Sequence, residues 1–287
     1  MNATSPAATT LPDTLDISDG PWTRSWFYVA PGEWGTFAWI GLIHAASVAG
    51  LAVMPLPSAG VVALTLLLGA VGGLGTTVCY HRALSHRAVR LNRVVEQLLI
   101  FCACFNGSSH PLNWVASHRQ HHAHSDRPGD VSSPRLGGFW WSHLRWLWQA
   151  PRPDQQRWCR DMQTLGYRFW SIANIPVVVG SLLFGWLISP VAWLWLGPLR
   201  LTWALHAQCT INSISHMGPK NSVGDYSRNV PWLTPLIMGI GENWHLNHHV
   251  SPGRAQIGHG RQLDLGWLTI RVLQKLRLAG PTRCEVA

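Results

Sequence analysis

The sequence predicts an all-α membrane protein: four transmembrane helices arranged as two hairpins, with a helical cap on the cytosolic side. Three observations carry this prediction. Charged residues make up 12% of the 287 and hydrophobic residues 47%, whereas soluble domains carry about 25% charge. Long stretches of the chain hold no charged residue at all. The basic residues, which set a formal net charge of +9, gather between and after those stretches. Such a composition excludes a disordered chain, which needs low hydrophobicity and high net charge.

The elements follow in order. Residues 1–20 are rich in Ala, Thr, Pro and Asp and lack the basic start and apolar core of a signal peptide. They read as a mobile tail before a single domain over 21–287. Residues 21–35 bring Trp22, Trp26, Phe27, Tyr28 and Trp34, which suits a segment lying at a membrane surface. Residues 36–80 carry no Asp, Glu, Lys or Arg, enough for two helices of about 20 residues and a turn. Pro55, Pro57, Ser58 and Gly60 supply that turn, so spans are placed at about 36–54 and 59–79. The apolar stretch 98–105 is too short to cross a bilayer and reads as half-buried or interfacial. Residues 169–199 and 201–219 are again free of charge, and Pro190 marks a turn, giving spans at about 171–189 and 192–211. Arg200, the one charge between them, is expected to snorkel to the outer surface. The cap then comprises 80–170 and 212–287, and 265–278 reads as an amphipathic surface helix.

Charge placement orients the hairpins. Of 22 Lys and Arg, 12 lie in 82–168 and eight after 216, with none in either outer turn. The positive-inside tendency therefore puts both termini and the cap in the cytoplasm. The basic excess is accounted for without nucleic acid. The cysteines (Cys79, Cys102, Cys104, Cys159, Cys209, Cys284) form no CxxC pair and read as buried free thiols.

The 15 histidines outnumber the 13 acids, and nine of them fall in four clusters. HRALSH holds His81 and His86; HRQHH holds His118, His121 and His122; INSISH holds Asn212 and His216; HLNHH holds His245, His248 and His249. On an α-helix, positions i, i+3 and i+4 share an arc of about 100°. Each HxxHH triplet thus points its three imidazoles one way, and Asn212 shares a face with His216. His81 and His86, five apart, diverge by roughly 140° on an α-helix. They serve either two metals or one metal from a bent helix end. Nine imidazoles exceed what one ion takes, and two ions with four or five ligands each is the economical count. The other six (His44, His110, His124, His143, His206, His259) read as ordinary packed or surface histidines, with His124 and His206 also candidates to stand behind a ligand.

Imidazole suits zinc, copper, iron and nickel. A carboxylate-bridged bundle site needs several Glu, and the chain has only Glu33, Glu96, Glu242 and Glu285. HExxH, the hydrolytic zinc pattern, is absent. An all-nitrogen dinuclear site beside a membrane favours iron that handles O2 and an apolar substrate. Asp126, Asp130, Asp225 and Glu242 are candidates to orient the rings through their other nitrogen.

The order HxxxxH, HxxHH, NxxxH, HxxHH between paired spans resembles the integral-membrane fatty acid desaturases, the acyl-CoA desaturase branch in particular. HRALSHR, WVASHRQHHAHSD, the stretch 142–147, LRLTWALHAQCTINSISH, GDYSRN and GENWHLNHH carry the likeness, which runs from about 26 to 279. The resemblance implies a di-iron centre held by His81, His86, His118, His121, His122, His216, His245, His248 and His249, with Asn212 holding a water on one iron. It implies an O2-dependent oxidoreductase that inserts a cis double bond, Δ9-type, into a long-chain acyl substrate. The carrier would be CoA foremost, otherwise acyl carrier protein or lipid. Membrane lipid surrounds it, and electrons come from a ferredoxin or a small cytochrome with its reductase, because no haem-binding HPGG is fused. The position before the second box, acidic in the animal acyl-CoA branch, is Ser117 here. Thr65, Gly69 and Trp114 are assigned to the acyl channel; Gly69 and Thr65 lie about 18 and 24 Å before His81 on a helix. Close helix packing through Gly69, Gly72, Gly73 and Gly75 is the competing explanation for those small residues.

Two other functions fit parts of the pattern. A hydroxylase, acetylenase or terminal-alkene-forming oxidase would use the same iron set. A membrane metal transporter would place its site near the bilayer midplane, whereas these clusters lie past the span ends.

Overall fold

The computed structural model describes residues 20–282. The expected tail, apart from its last residue, and Cys284 lie outside the described residues. In chain order the elements that position the site are α1 (Trp34–Val53), α2 (Ala59–Leu74), β1 (Val89–Leu91), α3 (Arg93–Phe105), α4 (Pro111–His124), α5 (Pro134–Trp140), α6 (Leu165–Leu183), α7 (Pro190–Leu194), α8 (Arg200–Ser213), α9 (His245–Val250), α10 (Leu265–Lys275) and β2 (Ala279–Thr282).

Among the described residues three helices are long and apolar enough to cross a membrane. They are α1, α2 with its continuation to Ser85, and α6 with its continuation to Leu187, of 20, 27 and 23 residues. The turn between the first two falls where the prolines place it, and the Ser58 hydroxyl caps α2 by accepting from Val61 N. The surfaces of these helices invert the usual pattern. Leu42, Val48 and Leu51 on α1, Leu66 and Leu67 on α2, and Ile172, Ile175 and Val179 on α6 are all exposed. Apolar faces of that extent are unfavourable in water and ordinary against hydrocarbon.

The fourth expected span is helical but wound in three ways: α7, a π-helical turn Trp195–Leu199, and α8. Arg200 corrects its prediction. It does not snorkel; it is fully buried, donating to Leu196 O at 2.7 Å, to Asn106 Oδ1 at 2.6 Å, to Phe105 O at 3.3 Å and to the Ser181 hydroxyl. The physical reason is the end of α3. Its terminal carbonyls carry the negative pole of the helix, and they accept the guanidinium where water would otherwise be needed. The short apolar stretch is the second half of α3. It buries Ile100, Ala103 and Cys104 and leaves Val94, Leu98 and Phe101 exposed, the half-buried placement its length requires. α2 and α3 approach so closely that a Cβ on Gly75 would meet Leu99 O at 2.6 Å and Ala103 N at 2.8 Å. Here the small residues serve helix packing.

Two apolar clusters support the cap. One joins Cys79, Tyr80, Ile100, Cys104, Leu112, Val115 and Trp170. The other joins Val78, Ala88, Val89, Ala255 and Ile270, beneath the antiparallel β1–β2 pair. Arg82 ties the first half of the cap to the second. Its guanidinium is buried and forms a two-pronged pair with Asp264, at 2.8 and 3.2 Å, while also donating to Ala255 O and Ile240 O. Asp264 in turn caps α10 by accepting from Trp267 N. α10 is amphipathic, burying Ile270 and exposing Leu268 and Val272 beside the basic Arg271 and Lys275. The five described cysteines are free thiols, four of them buried.

Candidate metal centre

Local winding sets the first cluster. Residues Gly75–Ser85 are π-helical, and His86 N donates to His81 O at 3.1 Å, the i→i+5 bond of that helix. An α-helix would swing residues five apart away from each other. The π-winding brings His81 and His86 to one side, with ring centroids 5.0 Å apart. Of the two alternatives left by the spacing, the structure has the pair facing one centre from a modified helix end.

α4 carries the second cluster. Pro111 sits at its first turn, and the His110 ring accepts from Asn113 N. Arg119, beside His118 on the same helix, donates to Leu84 O and Ser85 O and pairs with Asp161 at 2.6 Å. This locks α4 against the end of the π-helix. Beyond α4, Asp126 takes a left-handed φ of 57°, reversing the chain so that its carboxylate returns toward the histidines.

The nine histidines fall into two groups. His81, His86, His118, His122 and His248 form one; His121, His216, His245 and His249 form the other, each with one ring nitrogen within 4.8 Å of its fellows. Here one sequence expectation is corrected. The HxxHH triplets do not aim all three rings at one point. Each is divided: His118 and His122 face the first group and His121 the second, whereas His245 and His249 face the second and His248 the first. An arc of about 100° is wide enough to reach two centres lying side by side.

Behind the second group stand three carboxylates. His121 Nδ1 lies 2.9 Å from Asp130 Oδ2, His216 Nδ1 2.8 Å from Asp126 Oδ2, and His249 Nδ1 2.6 Å from Asp225 Oδ2. In the first group His81 Nδ1 lies 2.8 Å from Glu242 Oε2. The acids are themselves held: Asp130 accepts from Asp126 N and from Ser132, Asp126 from Ser133 and Tyr226 N, Asp225 from Ser125 and Ser227. Burial works to raise the Asp130 carboxyl, but the His121 ring beside it holds it below the usual range. Burial likewise opposes charge on His121, and Asp130 outweighs it, leaving this ring shifted upward. For His86, His118, His122, His245 and His248, burial and then the neighbouring imidazoles push the value well below normal. Those rings are neutral at physiological pH.

The donor set fits a pair of cations. Each carboxylate-backed ring keeps its proton on Nδ1, so its Nε2 presents a lone pair. His216 Nε2 and His249 Nε2 stand 2.9 and 3.1 Å from His245 Nε2, and one hydrogen there cannot satisfy both. His121 Nε2 is buried with no hydrogen-bond partner. In the first group His248 Nε2 faces His81 and His122 at 3.0 and 2.9 Å. Lone pairs converging at this range repel unless a positive ion lies between them.

The remaining predicted residues are placed as follows. Asn212 is half-buried, one turn before His216. Trp114 stacks on His118 at 4.9 Å between ring centres. Thr65 is buried and donates to Val61 O at 2.8 Å. Gly69 faces Trp203 and Met238, which a Cβ would meet at 3.1 and 3.2 Å. His124 packs on Trp158 and His206 bonds to His44 and His143, so neither stands behind a ligand. Sequence reasoning missed Thr77, whose hydroxyl donates to Glu242. It also missed Arg119; both lack any spacing signal.

A sequence model described as fatty acid desaturase matches residues 57–256. Among curated proteins the chain is 32% identical to "Delta-9 acyl-lipid desaturase 2" of Arabidopsis thaliana, over 75% of this chain and 72% of that one. It is 35% identical to "sn-1 stearoyl-lipid 9-desaturase" of Anabaena variabilis, over 75% and 80%. It is also 31% identical to "Hex-5-enoyl-[acyl-carrier protein] acetylenase" of Moorena producens, over 79% and 78%.

Proposed function

The chain belongs to the fatty acid desaturase family, an oxidoreductase family, and from that premise we propose that it inserts a Δ9 cis double bond into a long-chain acyl group held in a membrane lipid. The observation that carries this reading is the pair of imidazole groups whose lone pairs converge. The first group would hold one iron and the second another, with Asn212 presenting a water to the second. Iron bound there supplies the power, drawn from O2 and two electrons, to oxidise an unactivated C–H bond.

The chain's own residues do the rest. Asp126, Asp130, Asp225 and Glu242 keep protons on the outer ring nitrogens and so aim the inner ones. Burial of the second group, and partial burial of the first, limits the water that would divert the oxidant. Trp114, stacked on His118, forms the wall between ligands and substrate. The acyl tail would run from there along α2 toward Gly69 and Thr65, with Trp203 and Met238 opposite. The protein is proposed to be multi-pass, with α1, α2, α6 and the α7–α8 rod as four spans and the cap cytoplasmic. The absence of charge from the outer turns supports that topology. A separate ferredoxin or small cytochrome would supply the electrons.

Lipid is favoured as the carrier over CoA for two reasons. Ser117 stands where the animal acyl-CoA branch has an acid, and its hydroxyl is turned to Asn113 O at 3.0 Å. Two of the relatives named above, those of Arabidopsis and Anabaena, are named as lipid desaturases. Acetylenase chemistry is the second reading, favoured by the Moorena relative. Expression in a host without desaturases, with double bonds mapped by mass spectrometry and lipid classes separated first, tests all of this. A Δ9 monoene appearing first in intact glycerolipid is expected. Triple bonds would favour the second reading, label appearing first in acyl-CoA would overturn the carrier, and no new unsaturation would overturn the proposal.

A further inference from the structure

Three histidines outside the two metal groups are joined in a line. His44 on α1 reaches His206 on α8 (Nε2 to Nε2, 2.9 Å), His206 reaches His143 (Nδ1 to Nε2, 2.9 Å), and His143 Nδ1 reaches the Ser213 hydroxyl at 2.9 Å. Both ends finish on backbone carbonyls: His44 Nδ1 on Ile40 O at 2.7 Å and Ser213 Oγ on Cys209 O at 2.8 Å. His206 uses its two nitrogens for two different neighbours, so the rings do not converge as metal ligands do. No ring in the line bonds to a carboxylate among the described residues.

The proton count in this line is informative. It contains five hydrogen-bonded links. Three neutral imidazoles and one hydroxyl bring one hydrogen each, which fills four. Both terminal carbonyls can only accept, so the neutral line always has one vacant link. Burial, and after it the neighbouring His206, pushes His143 down to about 4, which keeps this ring neutral at rest. A proton entering at one end fills the vacancy, and a shift of hydrogens along the rings releases another at the far end. Ionisable side chains inside membrane segments are costly, and His chains there mark proton pathways.

The two ends differ in what they touch. His44 is partly exposed and lines an open cavity of about 200 Å³ whose other walls, Phe37, Ile40, Gly41, Leu144 and Trp148, are apolar, so its ring is the polar group through which a proton can enter there. Ser213 is fully buried at the end of α8, three positions before His216. We propose that His44, His206, His143 and Ser213 form a proton relay from this cavity to the edge of the second metal group.

The proposal rests on the desaturase reading for its purpose. Converting –CH2–CH2– to –CH=CH– with O2 takes two electrons from the donor and two protons from solvent. With the two substrate hydrogens these reduce O2 to two waters. All four rings of the second group are buried, and the relay supplies a proton route to that side.

Two measurements test it. In the full-length protein labelled with 15N-histidine, His44→Phe should change which nitrogen of His143 carries hydrogen, two links away. An unchanged His143 tautomer would overturn the relay whatever the enzyme makes. In the purified enzyme with its metals counted, His206→Phe and His44→Ala should each retain both metals. Each should lower turnover about tenfold, less than the 10²–10⁴ of a direct general acid. The slowing in D2O should grow, and added imidazole should restore His44→Ala but not His44→Phe. Turnover within twofold of wild type in His44→Ala, which removes the half-exposed end, would overturn the relay even if His206→Phe does not fold. If the parent enzyme forms no unsaturated product, the functional reading fails, while the tautomer experiment still decides the line.

Discussion

Two sets of histidines in this molecule are built on opposite plans. Nine converge: their inner nitrogens lie within 4.8 Å of one another in two groups, and four have a carboxylate behind them. Three are strung in a line between α1, the 141–145 turn and α8, with carbonyls at the ends and no carboxylate partner. Convergence with the protons fixed outward makes a place for cations. A line with protons free to shift makes a path for them. The same side chain thus serves two purposes, and what separates them is where the second nitrogen points and what holds it.

The comparison is broken most severely at its converging end. His121→Ala removes a quarter of the nitrogens of a four-ring group, and the expected result is loss of product together with iron below two per chain. Full activity with intact iron would mean that convergence does not signify metal binding. Asp130→Asn is expected to be milder, since the ring stays but its proton is no longer fixed; metal affinity should fall about 10–100-fold, read by competition with a chelator. His143→Asn addresses the linear set. Iron should remain at its wild-type level while turnover falls about tenfold, and loss of iron instead would erase the distinction between the sets. Ser47→Ala gives the smallest effect. It breaks a 3.1 Å bond to Thr202 in the same α1–α8 seam but carries no ring, so it should cost about 1 kcal/mol of stability, measured by thermal melting, and leave turnover unchanged.

How much of this was legible follows from the same contrast. The converging set announces itself because its members are near neighbours in sequence: HxxHH twice and NxxxH mark seven of its histidines with Asn212, and HxxxxH marks the other two, His81 and His86. The four acids could be named because they lie near the boxes. What the spacing did not show is the division of each triplet between two centres, because a helix face does not say how many partners lie opposite it. Nor did it show that His81 and His86 act together, since the π-winding of 75–85 leaves no periodic trace in the sequence. The linear set is invisible by local rules: its links join residues 162 and 63 positions apart. Arg200 was misread for a related reason. Its partners, the end of α3 and Ser181, are contributed by distant segments. Three of the four expected spans coincide with helices able to cross a membrane, because long apolar runs need no tertiary information.

The π-helical stretch before His86 has a consequence for how the gene can vary. Exchanging letters within 82–85 leaves the register of the two rings intact. Removing a single codon there would leave the two histidines four apart, a spacing that an ordinary α-helix also holds on one face, whereas adding one would leave them six apart, roughly 240° round an α-helix. The facing of these two rings therefore survives the loss of one residue at this point better than the gain of one.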